Sequence, residues 1–257
     1  MTEAEWLACD DPQELLHEVN WGRKERKLRL FACACSRGIW DLLTDNRSRL
    51  AVEVAEQFAD GAVTFEQLDD AEQPAVMFVE EVSEGAFRAA EAVAIELDLG
   101  DESVHGAWEC AMNACSAAQA AASTSSRESK DVIDASRSAI LARCHAVSPV
   151  MLAEDSKPDL GLRERIEREQ GAAHCEFISD IFGNPFRPVA FDPAWRTSTA
   201  VAMARGMYES RDFGAMPILA DALQDAGCDS GEVLEHCRGP GPHVRGCWVV
   251  DLVLGKG

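Results

Sequence analysis

Apolar residues in this chain recur at three- and four-residue steps, a period that an α-helix satisfies and a β-strand does not. Leu28, Phe31, Cys35, Ile39 and Leu42 make one such stripe, and Ala75, Val79, Val82, Ala86, Ala89, Ala90, Val93 and Leu97 make the longest. Alanine is abundant, and β-branched residues rarely cluster outside the last ten positions, so nothing competes with the helical period. The expected fold is all-α: an array of about ten antiparallel helices followed by a loop-rich C-terminal segment.

Start and stop signals divide the array. Asp10, Asp11 and Pro12 open a helix over residues 11–19, and a basic-fronted helix runs from Arg23 to Leu43. A turn at Thr44–Asn46 leads into a third helix carrying Ala51, Val54, Ala55 and Phe58, which Gly61 ends. Thr64 and Gln67 have the spacing of a capping box, and Pro74 is expected to interrupt the helix they start. Helices over 75–97, 103–122 and 128–147 follow. The stretch from Pro149 to Pro158 reads as a linker between an N-terminal bundle, 1–148, and a C-terminal helical subdomain, 158–257. In the latter, a helix over 160–182 is stopped by Gly183-Asn184-Pro185. Asp192-Pro193 starts 193–210, Pro217 starts 217–226, and Asp229 caps a short helix reaching His236. CWVVDLVL reads as a short helix, because no partner strand is evident.

Charge bounds the function. Residues 51–102 hold one basic side chain, Arg88, against fifteen acidic ones, whereas the whole chain carries a formal net charge of −21. Such a block repels a nucleic-acid backbone and suits a basic protein partner. Glu72, Glu80, Glu81, Glu84 and Glu91 are its candidate interaction face. The opening MTEAEWLACDD has neither a basic n-region nor an apolar h-region, and no apolar run approaches the roughly 20 residues of a membrane helix. The expectation is a cytoplasmic protein of bacterial type, with no membrane partner and no direct nucleic-acid contact. Its ten cysteines are too sparse in 257 residues for a secreted disulfide scaffold and read as reduced, mostly buried thiols.

Several blocks carry a resemblance: MTEAEWLACDDP, RKLRLFACACSRGIWDLLTDNRSRLAVEVAEQFADG, DIFGNPFRPVAFDPAW, and the tail PILADALQDAGC to HCRGPGPHVRGCWVVDLVLGK. They resemble a large paralogous family of uncharacterised bacterial proteins that share these terminal blocks around a variable Ala-rich middle. The resemblance implies no particular chemistry. It implies a middle that differs in length between members.

The residues richest in chemistry lie in the C-terminal loop. His236, Cys237, His243 and Cys247 fall within twelve residues, and zinc favours Cys and His donors in a tetrahedron. The spacing lacks a C-x-x-C knuckle, so core thiols and loop-packing histidines are the competing reading. Cys33 and Cys35 are more distant candidates to complete such a site, although two residues apart on a helix they point in different directions. Arg238, His243 and Arg245 alternate with glycines and form a candidate anion site; arginines pairing with acidic side chains or helix C-terminal carbonyls are the alternative. No G-x-S-x-G elbow, H-E-x-x-H helix or glycine-rich phosphate loop is present, so enzyme activity has no positive sign. The leading expectation is a non-catalytic helical interaction or adaptor protein. A metal-binding or hydrolytic protein centred on the His/Cys group is the second, and an acidic nucleic-acid mimic or inhibitor the third.

Overall fold

The structure, a computed structural model, describes residues 1–19, 24–78, 116, 129–147 and 160–256. Among these the chain is all-α, with no strand. The helices are α1 (Glu3–Ala8), α2 (Pro12–Glu18), α3 (Glu25–Gly38), α4 (Asn46–Ala59), α5 (residues 65–78), α6 (Ser129–Val147) and α7 (Leu160–Phe182). After a 3-10 turn at Pro193–Trp195 come α8 (Ser198–Ser210), α9 (Met216–Asp225), α10 (Gly231–Arg238) and α11 (Trp248–Leu254). The helices expected over 75–97 and 103–122 fall mostly outside the described residues, as do Glu80, Glu81, Glu84, Glu91 and the 149–158 linker. The chain divides into two compact units, one of Cys9–Cys175 and one of Met1–Ala8 with Glu176–Gly257. The division falls within α7.

In the first unit α3 packs against α4 and α6, and Leu28, Phe31, Cys35, Ala51, Val52, Ala55, Ala135 and Ala139 are buried. The basic side chains of α3 are used here, Arg26 from its front and Arg37 from its last turn. Arg37 donates to both carboxylate oxygens of Glu56, at 3.1 and 3.0 Å, and Arg26 donates twice to Asp60, at 3.2 and 3.0 Å. Part of the acidic segment is therefore neutralised internally rather than turned to solvent. Glu56 is almost fully buried, a position that a carboxylate tolerates only when paired.

The capping box forms as read: the Thr64 amide donates to Gln67 Oε1 at 2.9 Å, and the Gln67 amide to Thr64 Oγ1 at 3.3 Å. Pro74 does not interrupt α5, which continues through it to residue 78. The ring costs one backbone hydrogen bond, but its fixed φ is helical, and burial of Leu68, Ala71 and Ala75 holds both sides of it in one helix. His174, near the end of this unit, is buried against Phe31, with its Nδ1 2.8 Å from Ser136 Oγ. Burial pushes its pKa down to about 4.

The second unit is built on α8–α11, whose inward faces gather Ala200, Ala204, Met207, Leu219, Leu223, Val233, Val249 and Val253. Its helix starts differ from expectation in two places. Asp229 does not cap α10, whose N-cap position is Ser230, with no side-chain cap bond. Residues 193–210 are not one helix: Asp192 caps a single 3-10 turn through the Ala194 amide (2.8 Å), and the backbone leaves the helical region at Arg196. Thr197 then caps α8 through the Ala200 amide at 3.2 Å. Two capping residues five apart start two elements, and the break lets Trp195 turn inward, edge-on to Phe191. The tail is helical, as expected. Gly255, at φ 69°, closes α11, and Arg196 donates to the Leu252 carbonyl at 2.9 Å.

Candidate metal centre

Four side chains of the second unit converge: Asp180 from the last turns of α7, His236 from α10, His243 from the following loop, and Cys247 immediately before α11. Their donor atoms all lie within 4.8 Å of one another. Local sequence sets each position. Gly183 takes a φ of 71° that ends α7 at once, leaving Asp180 close to the helix terminus. Pro185 cannot continue the helix, and Asn184 folds the exit by accepting from the Phe186 amide at 2.9 Å. Asn184 also donates to Glu3, and Trp6 meets Phe186 edge-on, so α1 braces the turn. Gly241 and Gly246, at φ 81° and 99°, allow the loop to reverse and bring His243 and Cys247 back to α7.

The centre of the group is Asp180, whose side chain is 3% exposed. Its Oδ1 lies 2.8 Å from His243 Nδ1 and 3.1 Å from His236 Nε2, while Oδ2 accepts from the Val244 amide at 2.9 Å. Burial alone would raise its pKa. The hydrogen bonds from the two imidazoles and from Val244 outweigh that and hold the carboxyl below its ordinary value. His236 Nε2 is also 3.2 Å from Cys247 Sγ, and its Nδ1 accepts from the Trp248 indole N–H at 3.1 Å. Complete burial, followed by the nearby Asp180 charge, pushes the Cys247 thiol well above its usual range. His243 Nε2 is buried and has no hydrogen-bond partner among the described residues.

Such a set can hold a metal ion, since one oxygen, two imidazole nitrogens and one sulfur are the donors zinc takes in tetrahedral sites. Zinc–ligand bonds of about 2.0–2.3 Å set tetrahedral edges of roughly 3.3–3.7 Å. The separations of 2.8, 3.1 and 3.2 Å are hydrogen-bond lengths, so these three pairs would spread by a few tenths of an ångström around an ion.

Of the four ligands expected from sequence, His236, His243 and Cys247 come together and Cys237 does not join them. Cys237 lies fully buried in the apolar core, as its turn of about 100° from His236 along α10 requires. Asp180 takes the fourth place. Its only sequence signal was a carboxylate between two isoleucines, Ile178 and Ile181. Cys33 and Cys35 are buried in the first unit. The three residues of the expected anion site each have a different partner. Arg238 donates to Asp221 (3.0 Å) and Gln224 (2.7 Å), His243 bonds Asp180, and the Arg245 guanidinium lies over the Tyr208 ring. Of the acidic face only Glu72 is described, half-buried on α5.

The fold and this cluster define the class: an all-α protein with a buried Asp/His/His/Cys group suited to a metal ion. Comparison with family models, curated proteins and solved structures finds no match to this chain. Among the described residues no helix is long and apolar enough to cross a membrane.

Proposed function

We propose that the C-terminal unit is a zinc-type metal-binding module in which Asp180, His236, His243 and Cys247 hold one divalent ion. The observation that carries this reading is the convergence of Asp180, at the end of α7, with three side chains from the 236–247 stretch. Charge supports it as well. Asp180 is a buried carboxylate, and a Cys247 thiolate formed on coordination would add a second negative charge, so a dication balances the group. The protein supplies all four donors, which is the composition of a structural site; a hydrolytic one keeps a position for water. The ion's role is then to fasten the 239–247 loop and α10 to the end of α7. The acidic segment 51–102 supports a separate proposal, docking of a basic protein, on its sequence charge alone.

Elemental analysis of protein purified without a tag tests the reading. One equivalent of zinc or a similar ion is expected, removed by a chelator with loss of thermal stability and restored on adding zinc. Protein that stays metal-free after zinc exposure, yet is fully folded, overturns it.

A further inference from the structure

Resting on that reading, the geometry points to a competition between the ion and Trp248 for the single lone pair of the His236 imidazole. The indole N–H is a donor only, and it faces His236 Nδ1 at 3.1 Å. A neutral imidazole has one N–H and one lone pair. With the Nδ1 lone pair taken by Trp248, the proton sits on Nε2, the nitrogen that faces Asp180 Oδ1 (3.1 Å) and Cys247 Sγ (3.2 Å). That tautomer satisfies the metal-free network, because Nε2–H then has acceptors. Coordination asks for the opposite one: the lone pair on Nε2 and the proton on Nδ1, which metal-bound imidazoles normally donate to a carboxylate or carbonyl. Here Nδ1–H would meet another N–H head-on.

Trp248 is therefore a positioning residue that holds His236 in the non-coordinating tautomer, and loading the site displaces its indole. The displacement has a defined route. Trp248 follows Cys247 directly and opens α11, so a ligand and the competing donor move on the same short piece of backbone. Its ring lies 5.0 Å from that of His236 and covers Gly183, where a Cβ would be in ordinary contact with the indole at 3.4 Å. The end of α7, the start of α11 and the ion are thereby coupled: occupied and empty forms differ in where this ring rests. The site binds its ion more weakly than its four donors alone would, and exchanges it more readily.

Zinc affinity measured against a competing chelator, for wild type and Trp248→Phe, tests this. Removing the indole N–H is expected to tighten zinc binding roughly tenfold, the equivalent of one hydrogen bond no longer broken on loading. Since Phe packs less well over Gly183, a second measurement uses the unaltered protein. The Trp248 indole resonance, assigned by its absence in the variant or by site-specific labelling, is expected to shift on zinc addition and to exchange its proton faster. Wild type that takes up one zinc while the resonance stays in place and the folded variant binds no tighter overturns the competition and leaves the metal-binding reading standing. Absence of zinc uptake by both proteins overturns the two together.

Discussion

Asp180 accepts from two imidazoles and one backbone amide while almost excluded from water, so its replacement leaves several buried donors without an acceptor. Asp180→Asn places an amide donor against the Val244 N–H or a ring N–H. It is expected to abolish zinc uptake and to lower unfolding free energy by about 2–3 kcal/mol, read from urea denaturation of the metal-free protein. Gly183 is constrained by its φ of 71°, while a Cβ there would meet the Trp248 ring at ordinary contact distance. Gly183→Ala is expected to cost about 1–2 kcal/mol, since a side chain at that φ is strained; an unchanged melting temperature would contradict this. His174 supplies a pH signature. Its folded pKa, about 4, is depressed from 6.5, so the neutral form is the one the fold favours. The associated stability is fully present above pH 6.5, declines as pH falls toward 4, and amounts to roughly 3 kcal/mol for a shift of this size. The difference in unfolding free energy between wild type and His174→Gln, followed from pH 7 to pH 4, is expected to shrink or reverse across that window.

Among the elements, those with chemically explicit ends were legible. The Thr64–Gln67 capping box, the Gly183 stop and the closing helix formed where residue type and period placed them, because each depends on neighbours within a few positions. Thr64→Ala removes one of the two reciprocal bonds and is expected to cost about 1 kcal/mol, measurable as a shift in denaturation midpoint. The misread elements were those where burial outweighed a local signal. Pro74 stays inside α5 because apolar residues on both sides of it are buried, and 193–210 breaks because Trp195 turns into the core. Neither burial is visible in a window of ten residues.

At the scale of the molecule, an ion bound only by the folded state stabilises in proportion to the logarithm of its free concentration. The melting temperature of wild type is therefore expected to rise steadily with added zinc beyond saturation of the site, and that of Asp180→Asn to stay level. Sequence by itself determined the helical class, most helix ends and the grouping of His236, His243 and Cys247 in one glycine-rich loop, because these follow from local period and spacing. Only the tertiary structure decided that Asp180, rather than Cys237, completes the group, and that the Trp248 indole donates to His236 Nδ1. Asp180 lies 63 positions before His243, and nothing local joins them. The joining comes from packing the end of α7 against a loop whose reversal depends on glycines at positive φ. Cys237 is excluded by the helix period itself, which turns it into the core when His236 faces the cluster.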